Sequence, residues 1–352
     1  MCKRRDKIQS IGQRAARVQQ LLLCLMTMEE VELCFPQLNT SCWKTKRPLS
    51  VSVLIYIVLS FISLLTVTLN LLVVISISHF KQLHTPTNLL LLSLAVSDFF
   101  VGLIMLFQMM LIDGCWILGD LMCTLTCVFD YLATCSSIAI MVLISVDRYI
   151  AIRDPLHYLI KVTPRRVQVC VLMCWIFSFF FMSVLMKDNL EQPGKFNTCV
   201  GECVINITYI DQVAHLLLLF IVPISVIIVL YTGVFVVAVA QARAMRSHIA
   251  AVSLQRSMKV SAKKSELKAA RTLGVVIVVF LICICPYFCA TFKGQDSLIS
   301  GSGAVFLIFL FYFNSCLNPV IYVLFYPWFR KSIRLVVTLQ ILRPGSRDTT
   351  IL

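Results

Sequence analysis

A chain of 352 residues that is 59% hydrophobic and only 14% charged, with a mean hydropathy of +0.89, lies far outside the range of soluble globular domains. It reads as a multi-span membrane protein. The net charge of +14 gives no reason to invoke nucleic acid, because lysine and arginine crowd the loops on one side of the spans.

Crossing about 30 Å of hydrocarbon takes about 20 apolar residues, and seven runs qualify: 51 to 78, 87 to 112, 120 to 146, 166 to 186, 212 to 240, 270 to 292 and 303 to 325. The expected fold class is therefore an all-α membrane protein, a bundle of seven transmembrane helices. On one side, Lys81, the stretch Arg148 to Arg166, the stretch Arg243 to Arg271 and the tail Arg330 to Arg347 supply 19 basic residues, against Lys187, Lys195 and Lys293 on the other. That excess places the C-terminus in the cytoplasm and the N-terminus outside, in a plasma-membrane protein. The expected organisation is an extracellular segment 1–50, a seven-helix membrane domain 51–325 and a membrane-surface helix with cytoplasmic tail 326–352.

At the start of the chain, Lys3, Arg4, Arg5, Lys7, Arg14 and Arg17 contradict that orientation. Leu21 to Met28 is short for a signal-peptide core and no A-x-A-like site follows it, so cleavage is not expected. Residues 1–25 read as an upstream extension, with translation starting at Met26 or Met28. From Glu29 onward the segment resembles an ordinary ectodomain, with a glycosylation sequon at Asn39 between Cys34 and Cys42. A second sequon lies at Asn206, in another outside loop.

Most of the 16 cysteines lie inside apolar spans, where a thiol is a small apolar residue. Those on the oxidising side differ, and two bridges are expected there, Cys123 with Cys203 and Cys42 with Cys199. No histidine or second cysteine pair offers zinc spacing, so no metal centre is expected in that region. Cys34 and Cys115 have no partner that the sequence argues for.

In the second span, Asp98 is an acid at membrane depth. Asn70, Ser137, Asn314, Ser315 and Asn318 converge on it if the spans pack as a bundle, and a carboxylate with neutral oxygens in a small cavity suits a sodium ion or bound water. In the third span, Asp130 and Arg148 are 18 residues apart, about five turns or 27 Å, so they share one face at opposite ends. Asp130 lies two turns inside Cys123 with no lysine or arginine in any span to neutralise it. A protonated amine ligand would supply the missing cation, with Tyr312 as a hydroxyl neighbour, Tyr287 and Phe288 as aromatic walls, and His215 as a further hydrogen-bonding group. A structural aspartate, protonated or water-bound, is the plain alternative. Asp113, Glu202 and Asp211 would suit a second ammonium but read better as solvated acids.

At the inner end, Asp147-Arg148-Tyr149 closes the third span and Glu266 lies in the basic segment that begins the sixth. If Arg148 pairs with Asp147 and Glu266 at rest, parting the sixth helix from the third opens a cytoplasmic cleft, a two-state element. Exposed ion pairs are worth only about 0 to 1 kcal/mol, so such a latch biases an equilibrium without fixing it. In the last span Asn314, Ser315 and Asn318 would expose bare polar groups to lipid, so they face a packed interior, where Pro319 frees a carbonyl. Tyr322 follows one turn on. Tyr326 to Lys331 then suits a short amphipathic eighth helix along the membrane surface.

Taken together, Asn70, Leu94-Ala95-Val96-Ser97-Asp98, Asp147-Arg148-Tyr149, Trp175, Pro223 with Tyr231, Cys283 with Pro286, and Asn318-Pro319-Val320-Ile321-Tyr322 fall one set per span. In that order they resemble the rhodopsin-like G-protein-coupled receptors, over nearly everything from Cys34 to Arg334. The last-span pattern N-S-x-x-N-P-x-x-Y-x-x-x-Y-x-W-F resembles trace amine-associated receptors, and His79 to Asp98 looks like their fish members. Most of that family are olfactory receptors for amines. The resemblance implies an amine receptor that is not an enzyme, has no cofactor beyond an allosteric sodium ion, and raises cAMP through a stimulatory or olfactory-type heterotrimeric G protein. It further implies arrestin as a partner and residence in olfactory cilia. Ile138, Pro223 and Phe280 match the connector between ligand and sixth helix, Tyr231 and Tyr322 the tyrosine pair of the active state, and Cys42, Cys199 and Cys203 the family's two-bridge arrangement.

Three departures stand out. Ile284 replaces the usual tryptophan, Phe309 replaces another near the outer seventh span, and Phe107 stands where the second span usually has a proline. Losing the indole is expected to deepen the pocket at Ile284 and alter basal activity, and a weakly signalling receptor is one alternative. A catechol or indole neurotransmitter receptor is another, but it wants hydroxyls in the fifth span, where His215 and Leu216 stand and Ser225 lies too deep. A transporter or enzyme would need inverted repeats or an acid and nucleophile constellation, and neither is present.

Overall fold

The computed structural model describes residues 31–45, 49–112, 115–249, 257–292 and 302–351. The basic N-terminal stretch, both candidate start methionines and Asp113 fall outside them. Among the described residues, seven helices are long and apolar enough to cross a membrane. These are α1 (Leu49–His79), α2 (Pro86–Ile112), α3 (Asp120–Arg153), α4 (Pro164–Leu185), α5, α6 (Ser257–Phe292) and α7 (Ser302–Phe325). The fifth, α5, runs as Tyr209–Leu216, a π-helical turn Leu217–Ile221, and Val222–Ile249. An eighth, α8 (Pro327–Val337), follows after one extended residue.

Helix ends differ from the hydropathy limits for one reason. Charge closes a hydropathy window, yet arginine, lysine and alanine are good helix formers, so α3 continues to Arg153, α5 to Ile249, and α6 already begins at Ser257. Prolines set the irregularities. Pro223 has no N–H to return to the carbonyl one turn earlier, and the π turn ends at Ile221, just ahead of it. Pro286 and Pro319 interrupt the ladders of α6 and α7 in the same way. Pro327 starts α8, where a missing N–H costs nothing. Arg330 donates to the carbonyls of Val323 and Leu324 at 2.8 and 3.0 Å, satisfying the open end of α7.

Packing is tightest where small residues let backbones approach. A Cβ on Gly102 would stand 3.0 Å from Val67 Cγ2 and 3.1 Å from its backbone nitrogen, and Ser63 of α1 donates to the Gly102 carbonyl at 2.6 Å. Trp175 of α4 donates its indole N–H to Ser93 of α2 at 3.0 Å. Over the Cys123 end of the bundle lies a hairpin of β1 (Val31–Leu33) and β2 (Trp43–Thr45), antiparallel with Leu33 opposite Trp43. Three disulfides hold this lid: Cys42–Cys199, Cys123–Cys203 and Cys34–Cys115. The last joins the two cysteines that the sequence left without partners, and a short parallel bridge between Ser41 and Val200 lies beside Cys42–Cys199.

Candidate functional site

Two turns inside Cys123, α3 presents Asp130 to an enclosed space. Its Oδ2 accepts from the Tyr312 hydroxyl at 2.8 Å and, more weakly, from the Gln108 amide at 3.5 Å. Its Oδ1 is buried with no partner among the described residues. The cavity holds about 250 Å³, and Cys203, Ile205 and Ile207 of the bridged loop contribute to its lining. Aromatic rings form its walls: Tyr287 lies 4.8 Å from Phe311, and Phe288 stacks on Phe220 at 4.7 Å and on His215 at 5.8 Å. His215 meets the edge of Tyr131 at 5.3 Å, and its Nε2 is buried without a partner among the described residues. Beyond those two rings a second chamber of about 500 Å³ reaches toward Tyr209 and Gln212 of α5.

Asp130, Tyr312, Tyr287, Phe288 and His215 are thus brought together as the sequence predicts, while Ile284 is not. It is 4% exposed and lines a separate cavity of about 20 Å³ with Ser137, Ile138, Asn314 and Ser315. Ser137 and Ile138 lie about two turns further along α3 than Asp130, and an aliphatic side chain in that layer leaves the floor of the upper cavity to Phe311 and Tyr312. Gln108, Tyr131 and Phe311 escaped the sequence reading. Glutamine and aromatics are common in spans, and only the mutual rotation of α2, α3 and α7 reveals which of them face the carboxylate.

Asp98 is fully buried. Its two oxygens accept from Ser315 and Asn318, each at 2.8 Å, and Ser137 lies beside it. Asn70 does not join this group as expected. Its amide donates to the carbonyls of Thr66 and Ser315 at 2.9 and 3.0 Å, tying α1 to the α7 backbone that Pro319 opens. The side-chain oxygens of Asn314 and Asn318 are buried without partners among the described residues. One carboxylate with unfilled neutral oxygens is a donor set that a hard monovalent cation or water would satisfy.

At the other end of α3, Arg148 donates through Nε to Asp147 Oδ2 at 3.0 Å and forms a second, shorter bond through its terminal nitrogen, which also bonds Thr87 of α2. Tyr158, in the turn after α3, donates to the other oxygen of Asp147 at 2.7 Å. Burial, reinforced by the Asp147 charge, pushes the Tyr158 phenol up to about 12, so it remains a donor at any physiological pH. In the same turn, hydrogen bonds from Lys161 and His157 hold the Asp154 carboxyl down to about 2.

The expected partner from α6, Glu266, lies in the helix, but its side chain is outside the described residues. Tyr149 does not join the ion pair. It packs with Ile152 and Val234 of α5 and bonds Arg153, and a Cβ on Gly233 would stand 2.9 Å from its ring. The hydroxyls of Tyr231 and Tyr322 have no partner among the described residues, and Tyr322 instead meets the edges of Tyr326 and Phe329. Ile138 and Phe280 are buried in the main core, Pro223 follows the π turn of α5, and Pro286 lies inside α6.

On the lid side, Asn39 and Asn206 are both exposed. Asp211 accepts from Thr208 at 2.6 Å in the N-cap of α5, and Glu202 accepts from the backbone and hydroxyl of Thr198 at 2.6 and 2.9 Å. Neither acid lines the Asp130 cavity.

Comparison with known proteins agrees with this architecture. Residues 69–322 match the family described as 7 transmembrane receptor (rhodopsin family). Trace amine-associated receptor 13c of Danio rerio is 38% identical over 331 residues, covering 90% of this chain and 95% of that protein. Trace amine-associated receptor 8b of Rattus norvegicus is 38% identical over 333 residues, 91% and 96% of the two chains. Trace amine-associated receptor 6 of Pan troglodytes is also 38% identical, over 334 residues, 90% and 94%.

Proposed function

Because the chain belongs to the trace amine-associated receptors of the rhodopsin family, we propose that it binds a protonated amine at Asp130. In the same reading it signals through a stimulatory heterotrimeric G protein and raises cAMP. The observation that carries this is the half-satisfied carboxylate: Asp130 has one oxygen held by Tyr312 and the other bare, inside an aromatic cavity of about 250 Å³. A buried carboxylate without a cation is costly, and an ammonium would remove that cost while its hydrogens reach the free oxygen. The rings of Tyr287, Phe288 and Tyr131 offer the cation–π surface such a group favours.

Secondary features fit the same reading. Asp98 with Ser315, Asn318, Ser137 and Asn314 would hold an allosteric sodium ion, whose charge would stabilise the resting packing of α2, α3 and α7. Asn39 and Asn206 would carry glycans on the outer face. The protein is a multi-pass plasma-membrane receptor and not an enzyme. In the proposal its N-terminus is extracellular, its C-terminus cytoplasmic, arrestin a second partner, and its site the cilia of olfactory neurons.

A cAMP reporter in transfected cells, challenged with primary, tertiary and diamines, tests the reading directly. Wild type responds and Asp130→Asn at equal surface expression does not. A response that survives in Asp130→Asn places the amine elsewhere.

A further inference from the structure

The segment after α8 doubles back onto the bundle. The backbone takes positive φ at Leu339 and Gly345, and two short 3-10 turns, Gln340–Leu342 and Ser346–Asp348, carry the chain to the turn that joins α1 to α2. Three polar links hold it there. Lys81 Nζ lies 3.1 Å from Asp348, the Ile351 N–H donates to the Gln82 side-chain oxygen at 3.1 Å, and His79 Nε2 and Ser346 Oγ stand 2.9 Å apart. Ser346 also donates to the Ile341 carbonyl at 2.6 Å, closing the tail on itself.

Burial supplies the independent observation. Residues 347–350 are exposed, yet Ile351 is only 3% exposed and belongs to the same apolar cluster as Phe80 and Leu83 of the α1–α2 turn. A tail merely collapsed on the surface would bury no isoleucine that deeply. The turn thus offers one cation, one amide oxygen and an apolar floor. The tail answers with a carboxylate, a backbone N–H and an aliphatic side chain three residues after the carboxylate.

We infer that the α1–α2 turn is a docking surface for a short segment carrying a carboxylate followed three residues later by an aliphatic side chain. Its occupant is this chain's own segment 340–351, which acts as an intramolecular strap. The strap holds the far end of α8 to α1 and α2, as Arg330 holds its near end to α7. A partner that reads the α1–α2 turn has to displace the tail first. The Lys81–Asp348 pair is exposed on both sides and chiefly sets register, whereas Ile351 holds the strap down. None of this depends on the amine reading.

Hydrogen exchange by mass spectrometry on the full chain in nanodiscs tests the strap. Amides 346–351 exchange at least about tenfold more slowly than in a free peptide of the same sequence. Ile351→Asp returns them to peptide rates, Lys81→Glu speeds them partway, and Lys81→Glu with Asp348→Lys recovers protection relative to Lys81→Glu alone. Peptide-like rates in wild type overturn the inference. So does protection indifferent to Ile351→Asp or to both charge changes, which would mean a tail resting on lipid.

Discussion

Tyr312 and Asp130 form the contact on which ligand recognition turns in this reading, and it invites two single-residue tests. Tyr312→Phe removes a hydrogen bond to an ionised group, worth about 1.5 to 3 kcal/mol, so the half-maximal amine concentration rises by one to two orders of magnitude. The maximal cAMP response is retained, because the carboxylate remains. An unchanged dose–response curve in Tyr312→Phe means that the hydroxyl does not orient the carboxylate. Ile284 supports a second expectation. Its cavity of about 20 Å³ holds at most one water, so Ile284→Trp overpacks the layer between Ile138 and Asn314 and costs about 1 to 3 kcal/mol. The melting temperature of the purified receptor falls, while Ile284→Met, close in volume, leaves it near wild type. A melting temperature unmoved by Ile284→Trp shows that the layer is loose and would restore the view of a deepened pocket floor.

Elements were legible where one strong period or one forced spacing decides them. Twenty-residue apolar runs located all seven spans, and the interval from Cys123 to Asp130 to Arg148 fixed depth and facing along α3. Rotation between helices was not legible, since it depends on close approaches such as Gly102 against Val67 that a single sequence does not announce. Gln108, Thr87 and Tyr158 were missed for that reason, and Asn70 was assigned to the wrong partner. The Cys34–Cys115 bridge was hidden differently, because the β-hairpin that carries Cys34 over the bundle is only three residues per strand. It is also the easiest element to check. Non-reducing peptide mapping recovers Cys34 and Cys115 in one cross-linked peptide, and the paired change Cys34→Ser with Cys115→Ser lowers thermal stability while Cys42–Cys199 still tethers the hairpin. Alkylation of both thiols in unreduced receptor would remove the third staple from the lid.

Across the whole molecule, the buried groups form two polar stations on α3, Asp130 at one end and Arg148 at the other, joined by a core in which Ile138, Phe280 and Tyr322 are almost fully buried. What happens at one end reaches the other only if that core has two packings. Arg148 is drawn to Asp147 and Thr87, Tyr158 braces Asp147 from the turn after α3, and the hydroxyls of Tyr231 and Tyr322 are both unused. In the proposed reading this is a resting arrangement, from which activation would release Arg148 and give those hydroxyls a partner. Asp147→Asn tests this at the scale of the molecule. It leaves the guanidinium buried against a neutral amide, and breaking a buried pair of this kind costs about 3 to 5 kcal/mol. That loss falls on the resting state alone, because the released state no longer uses the pair. Basal cAMP therefore rises several-fold without amine, while the melting temperature of the unliganded receptor falls. Tyr158→Phe, which removes one brace and leaves the ion pair, shifts both in the same direction by less. Basal cAMP unchanged in Asp147→Asn at matched surface expression would show that the pair stabilises both states equally, and the switch would then have to reside in the α6 contacts.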